Sequence, residues 1–283
     1  MIRVGPAGWT YKDWEGIVYP ARRPKVDQLA YLAERFDTIE INSTFYRPAS
    51  PKTAESWLRR TAFNPDFKFT AKVLEAFTHE KKVDDESLIR EWKEGIKPLA
   101  EAGKLGAVLI QFPWSFKNEP PSREYLLKVI ERFSDSKPVI EFRHASWDDE
   151  EVMEFLKHFK AAICNIDQPV IGRSMRARCY VTTPPGYFRF HGRNYRDWFR
   201  EDAGRDARYN YLYKPEQIEV HQELVEQAAA EQEGDTYAVY NNHFRGQAIV
   251  NAIQLRKRLK QKVIEIPENL PAAYPDAGLG SSL

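Results

Sequence analysis

The sequence predicts a single (β/α)8 barrel of the TIM type over residues 1–283. Three observations carry that prediction. Eight short apolar runs alternate with longer amphipathic segments, the pattern of parallel βαβ units. The length of 283 residues suits one such barrel. The segment after the first run, Gly5-Pro6-Ala7-Gly8-Trp9, lacks the GxGxxG spacing that a doubly wound open sheet would need there for a phosphate.

The first strand is expected at Ile2 to Ala7. Leu29, Leu32, Ala33 and Phe36 then form a helical apolar stripe. The second strand spans Thr38 to Ile41, and Ser50-Pro51 reads as an N-cap followed by proline at the first helical position. Strands three and four are Lys68 to Lys72 and Ala107 to Phe112. A stripe of Leu126, Val129, Ile130 and Phe133 leads to the fifth strand, Val139 to Phe142. The acids Asp148 to Glu151 suit the positive end of a helix dipole. The sixth strand spans Ala161 to Ile166 and the seventh Tyr187 to His191. Lys214-Pro215-Glu216 starts another helix, the eighth strand runs from Thr236 to Tyr240, and Ile249, Ile253 and Leu255 lie in the last helix. Two connections are long, Gln168 to Gly186 and Gly192 to Tyr213, and in a barrel both lie over the C-terminal face. The tail after Ile264, from about residue 265, is expected to be peripheral and to fray.

Composition excludes some classes of function. Hydrophobic residues make up 42% of the chain and charged residues 29%, as in ordinary globular proteins. The net charge of +1 gives no global field for nucleic acid or membrane. No apolar run approaches the roughly 20 residues of a membrane span. Two cysteines, Cys164 and Cys179, make no metal motif or disulfide framework and fit a reducing compartment. With no signal segment read at the N-terminus, a cytoplasmic location is expected.

Alternation along the strands assigns the inward side chains. Glu40 and Asn42 point inward if Ile39 and Ile41 face the helices. The same phase turns Lys68, Thr70 and Lys72 inward, then Gln111, then Glu141 with Arg143, Asn165 with Asp167, Arg189 with His191, and Asn241. Cys164 is assigned to the helix side. A purely structural barrel fills these layers with Val, Ile and Leu. Buried charges on this scale either pair internally, for instance Glu40 with Lys72 and Glu141 with Arg189, or mark a site.

The motifs resemble those of the YecE-like family of uncharacterised proteins. They run in order: Gly5-Pro6-Ala7-Gly8-Trp9-Thr10-Tyr11 with Trp14, Glu40-Ile41-Asn42-Ser43-Thr44-Phe45-Tyr46, Phe69-Thr70-Ala71-Lys72 with Thr78-His79, Gln111-Phe112-Pro113, Glu141-Phe142-Arg143-His144 with Trp147, Asp167, Arg189-Phe190-His191-Gly192, and Tyr240-Asn241-Asn242. Ala248 and Asn251-Ala252 continue the match. The resemblance covers nearly the whole chain and implies a TIM-type barrel; it supplies no activity.

The inward set supports several chemistries. Glu40, Glu141, Asp167 and His191 are the candidate acid–base residues, with Glu141 and His191 leading. They are also the set that would hold a divalent metal, although Lys72, Arg143 and Arg189 would repel a cation, so no metal or other cofactor is assigned. Those three cations suit a small anionic ligand such as a phosphorylated sugar or a nucleotide. Asn42, Gln111, Asn241 and Asn242 can bind its hydroxyls or a base edge. Trp9, Tyr11, Trp14 and Tyr46 can form an aromatic wall or pack the rim.

Residues 192–213 hold five arginines, Arg193, Arg196, Arg200, Arg205 and Arg208, interleaved with aromatics. This composition suits a nucleic-acid surface, unless Asp197, Glu201, Asp202 and Asp206 neutralise the arginines and the aromatics pack the loop down. His158 and His221 are read as surface residues, whereas His79, His144 and His243 follow strands and are within reach of the site. The absence of a nucleophile elbow disfavours serine-type hydrolysis. Three readings follow: an acid–base enzyme of hydrolase or isomerase type acting on an anionic ligand, a nucleic-acid-binding or -processing barrel, and a non-catalytic binding module.

Overall fold

In the computed structural model, which describes residues 1–21, 25–200, 204–262 and 265–280, the strands are β1 (Ile2–Pro6), β2 (Thr38–Ile41), β3 (Lys68–Lys72), β4 (Leu105–Gln111), β5 (Pro138–Glu141), β6 (Ala162–Asp167), β7 (Gly186–Phe190) and β8 (Thr236–Tyr240). β2 to β8 pair in parallel each with the next in sequence, and β8 pairs with β1. This is the predicted TIM-type barrel. The boundaries differ from the expected ones by a residue or two, most at β4, which starts at Leu105.

The longer helices among the described residues are α1 (Gln28–Ala33), α2 (Pro51–Thr61), α3 (Glu86–Glu101), α4 (Pro120–Arg132), α5 (Glu150–His158), α6 (Pro215–Ala230) and α7 (Gln247–Arg258). Ser50 caps α2 by accepting from Thr53 N, with Pro51 in the first turn. Asp149 caps α5 through Glu151 N. The Gln217 side chain accepts from Lys214 N at the start of α6. These satisfy amides that a helix start leaves without partners.

No helix joins β6 to β7 among the described residues; an irregular segment covers β6 instead. Asn165 Nδ2 donates to Tyr180 O at 2.9 Å, and Tyr180 N donates back to Asn165 Oδ1 at 2.8 Å. Thr182 Oγ1 accepts from Ile163 N and donates to Ala161 O. These bonds satisfy backbone and side chain in the position a helix would fill.

Closure depends on β1 and β2, where the ladder is thinnest. Among the described residues a single bridge joins them, between Ala7 and Glu40, with Gly8 N donating to Glu40 O at 2.8 Å. A Cβ on Gly5 would lie 1.9 Å from the Thr38 carbonyl oxygen, so this approach of backbone to backbone requires glycine.

The tail expected to fray is anchored across α7 as far as it is described, while Ile264 and the last three residues lie outside the described residues. Leu270 and Leu279 are buried. Gln254 Nε2 donates to Ala277 O, and Lys257 Nζ to Leu279 O. Among the described residues no helix is long and apolar enough to cross a membrane.

Gly5→Ala should lower the free energy of unfolding by about 3 kcal/mol, because the clash is with backbone that cannot move without opening the seam. Urea denaturation followed by circular dichroism measures this; wild-type stability in the variant would remove Gly5 from the closure mechanism.

Candidate functional site

Parallel register sets which side chains share the barrel interior. Glu40 is level with Thr70, Gln111 with Glu141, Cys164 with Tyr187, and Ile166 with Arg189. Arg189 lies at the centre, fully buried. Its Nη2 reaches Glu40 Oε1 at 2.7 Å and its Nη1 reaches Glu141 Oε2 at 2.6 Å. Arg143 Nε holds the other Glu141 oxygen at 2.6 Å, while Arg143 Nη1 donates to Gln168 Oε1 at 2.9 Å. Tyr187 OH donates to Glu40 Oε2 at 2.9 Å and also meets Thr70 Oγ1 at 2.8 Å. Burial alone would raise the Glu141 carboxyl, but Arg143 and Arg189 hold it well below the usual carboxylate range.

His191 extends this network. Its Nε2 is 3.3 Å from Glu141 Oε1 and its Nδ1 is 3.0 Å from Asn241 Nδ2, an arrangement suited to the neutral ring with its proton on Nε2. Burial first, and then Arg143, push the imidazole down to about 3. The ion-pair alternative of the sequence is therefore present for Glu141 with Arg189. Glu40 pairs with Arg189 rather than with Lys72, because one guanidinium fork spans both carboxylates.

Above this layer opens a cavity of about 340 Å³. Of the residues singled out in the sequence, Trp9, Tyr11, Asn42, Tyr46, Lys72, Gln111, Arg189 and Asn241 line it. Glu40, Glu141, Arg143 and His191 sit below or behind the lining. Asn242 turns away to Asn251 Oδ1 and Tyr211 O. Phe45 and Tyr209 also line the cavity and were missed as ligand-facing groups, whereas His243, expected within reach of the site, does line it. Phe45 lies inside the motif that yielded Asn42 and Tyr46, so it was within reach of the sequence reading. His243 stacks on Tyr11, with centroids 4.5 Å apart. Trp9 both lines the cavity and packs edge-on against Trp57.

Lys72 differs from its charged neighbours. It ends β3, is 92% buried by accessible surface (8% exposed), and its Nζ lies 3.5 Å from the centroid of the Phe45 ring. Its Nζ makes no hydrogen bond or ion pair among the described residues, while its backbone carbonyl accepts from Thr44 Oγ1 at 2.7 Å. Burial first, and the Arg189 guanidinium second, push the amine down to about 7, although Glu141 and Glu40 pull the other way. Lys72 and Arg143 act similarly on His79, which burial and these charges push down to about 4.

Asp167 is a correction. It lies on the helix side of β6, and Cys164 is the inward residue, with its Sγ 3.9 Å from Glu141 Oε2. Arg193 binds both Asp167 oxygens, Tyr213 OH donates to Oδ1 at 3.1 Å, and His221 Nε2 lies 3.5 Å from Oδ2. The four residues proposed for a metal therefore do not converge. Among the described residues no group of three or more His, Cys, Asp or Glu has the arrangement to hold a metal ion. His221 is fully buried rather than on the surface, bonded to Tyr240 OH and stacked on Phe190. His158 is exposed, as expected.

The long loop after β7 is packed and paired in part, with Tyr195 and Phe199 exposed. Arg193 is tied to Asp167, Arg196 and Arg200 flank Asp197, and Trp198 and Tyr213 are buried. Glu201 and Asp202, two of the acids expected to balance it, lie outside the described residues, and the Arg205 side chain is not described.

The profile of the family described as "Protein of unknown function DUF72" matches residues 3–275. The chain belongs to the DUF72 family. This agrees with the YecE-like resemblance read from the motifs. The DUF72 chain is 26% identical over 275 residues to the UPF0759 protein YunF of Bacillus subtilis (strain 168), covering 92% of this chain and 95% of that protein. Crystal structures of DUF72 family proteins share the fold. One from Thermotoga maritima MSB8 is 36% identical with a TM-score of 0.83, covering 92% of this chain and 100% of that one. One from Enterococcus faecalis V583 is 26% identical with a TM-score of 0.82, covering 93% and 96%. None of these names carries a ligand or a reaction.

In this DUF72 chain, Asp167 makes an acid-stability prediction. Burial favours its neutral form, but hydrogen bonds from Arg193 and His221 outweigh burial and hold the carboxyl at about 2, below its ordinary 3.8. A depressed carboxylate stabilises the fold above its unfolded pKa, and that contribution is lost as pH falls towards the folded one. Wild-type stability should thus drop by about 2 kcal/mol from this group as pH falls from about 4 through about 2. Asp167→Asn should lose that part of the slope in urea titrations at stepped pH. The earlier acid slope from His191, between its ordinary 6.5 and about 3, should remain. An unchanged slope below pH 4 in the variant would contradict the assignment.

Proposed function

We propose that this chain is an enzyme that binds a small, polar, anionic molecule, such as a sugar phosphate or a nucleotide, in the cavity at the C-terminal ends of its strands. Lys72 is the group that exchanges the proton. The observation that carries this reading is the contrast in commitment: Arg189 and Arg143 are held by Glu40 and Glu141, whereas Lys72 Nζ has no such partner. An amine with a pKa near neutral serves as acid or base at cellular pH. Glu141 and His191, the leading acid–base candidates of the sequence, act here by holding Arg189 and Asn241 at the cavity floor.

Polar recognition comes from the carboxamides. Asn42 lines the cavity, and its Oδ1 is buried without a partner among the described residues. Gln111 Oε1 accepts from Arg189 and Arg143, which leaves its Nε2 for a ligand. Trp9, Tyr11 and Tyr46 supply flat surface for a ring.

Differential scanning fluorimetry with inorganic phosphate, sugar phosphates and nucleoside monophosphates tests the reading. At least one should raise the wild-type Tm. Lys72→Met should weaken that ligand about tenfold or more, about 1.4 kcal/mol. Wild-type affinity should fall as pH rises through about 7, because the ammonium that meets the anion is lost. Equal stabilisation of Lys72→Met, or none in either protein, would overturn the assignment. Stabilisation without turnover in assays of the ligand that binds would reduce the chain to a binding module.

A further inference from the structure

We infer that Lys72 is a carbonyl-capturing nucleophile, so that the substrate class of this pocket is an aldehyde or ketone carrying an anionic group. The inference rests on the small-ligand reading above and refines the part Lys72 plays in it. It stands on placement. The amine projects from the end of β3, a rigid strand, towards the open cavity that Lys72 lines. It lies on the Phe45 ring face and has no hydrogen bond or ion pair among the described residues. A lysine that works as a structural cation sits against a carboxylate. Here the two nearby carboxylates, Glu40 on β2 and Glu141 on β5, are taken up by Arg189 from β7 and by Arg143 from the end of β5.

Desolvation and neighbouring cations are the two ways in which proteins turn a lysine into a nucleophile, and both act here. Burial and the Arg189 guanidinium bring the amine to about 7, with Arg143 acting in the same direction and Glu141 and Glu40 opposing. His79, the titratable group after β3, is held neutral and adds no charge near pH 7. The Phe45 face favours the ammonium, but a ring attracts a cation more weakly than burial and a guanidinium oppose it. Asn42, Gln111 and Asn241 stand round the same space with carboxamides able to bind a carbonyl oxygen or its hydroxyl successor.

The step balances without a redox partner. The Nζ lone pair adds to the carbonyl carbon as the C=O π bond breaks, giving a carbinolamine. Both N–H protons then leave with the former carbonyl oxygen as one water, and a C=N bond to Lys72 remains. Amine and carbonyl become imine and water, and nothing is oxidised or reduced.

The test uses the full chain and pyridoxal phosphate, a probe that carries both an aldehyde and a phosphate. The imine is reduced with cyanoborohydride, and adducts are located by intact mass and peptide mapping. Phosphate-induced stabilisation is measured in parallel, on wild type, Lys72→Met and Lys72→Arg. We expect one dominant adduct on Lys72 near pH 7, formed on the order of tenfold or more faster than on surface lysines, since about half of such an amine is neutral there. Its rate should rise with pH through about 7, opposite to the affinity for phosphate, and inorganic phosphate should slow it. Lys72→Arg should keep phosphate stabilisation and lose the adduct. Labelling of Lys72 no faster than of surface lysines, with phosphate still stabilising through Lys72, would overturn the nucleophile and leave the anion site standing. Neither labelling nor stabilisation would overturn both. Fast labelling that phosphate does not slow would support the nucleophile and remove the anionic group from the substrate class.

Discussion

One guanidinium holds the interior of this barrel together. Arg189 spans from Glu40 on β2 to Glu141 on β5 across the space enclosed by the strands, so three strands that are not all neighbours in the sheet are tied through the centre. Most barrels of this type fill that space with branched aliphatic side chains. Burying charge instead is tolerable only when every charge is paired and the remaining lone pairs and protons are satisfied. That requirement accounts for the neighbours. Arg143 takes the second oxygen of Glu141, Tyr187 the second oxygen of Glu40, Gln111 bridges the two arginines, and the His191 ring stays neutral between Glu141 and Asn241.

The same requirement determines what is left over for a ligand. Two carboxylates and two guanidiniums cancel, and Lys72 is the charged side chain beside them with no counter-ion in contact. The chemistry of the pocket therefore follows from the arithmetic of the layer beneath it, and its polarity from carboxamides rather than from free charges. A barrel in which Glu40 reached Lys72, one pairing the sequence allowed, would leave Arg189 to Glu141 alone and give a different pocket on the same scaffold.

Much of this was legible in the sequence because strands alternate with period two and their polar positions cluster at the C-terminal ends. Glu40, Lys72, Gln111, Glu141 and Arg189 were assigned to the interior on that basis, and the register agrees. The phase failed at β6. Ile163, Cys164 and Ile166 put apolar groups on both faces, so polarity alone decided, and it turned Asp167 inward. What holds Asp167 on the other face is Arg193 just after β7, together with a histidine on α6 and a tyrosine before it, about fifty residues further along the chain. Part of that was readable: His221 falls at helical spacing with the buried residues Ile218, Val225 and Ala228, which marks the inner stripe of α6 rather than its exposed side. Which cation meets which carboxylate was not readable, because it depends on side-chain reach across the barrel, and pattern along one strand carries no information about that.

The loop after β7 is clasped at both ends. Gly192 N donates to Tyr213 OH, joining its start to its finish, while Arg193 grips Asp167 and Asn251 on α7 accepts from Tyr213 N. The feet of this connection are thus fixed independently of its length, and the entropy of closing a loop between fixed ends grows only slowly with added residues. It also contributes Tyr209 to the wall of the cavity. The roof can therefore lengthen, shorten or change composition during descent while β7, α6 and the ion-paired floor keep their positions. The lining of the cavity and the stability of the scaffold are thereby free to evolve as nearly independent traits.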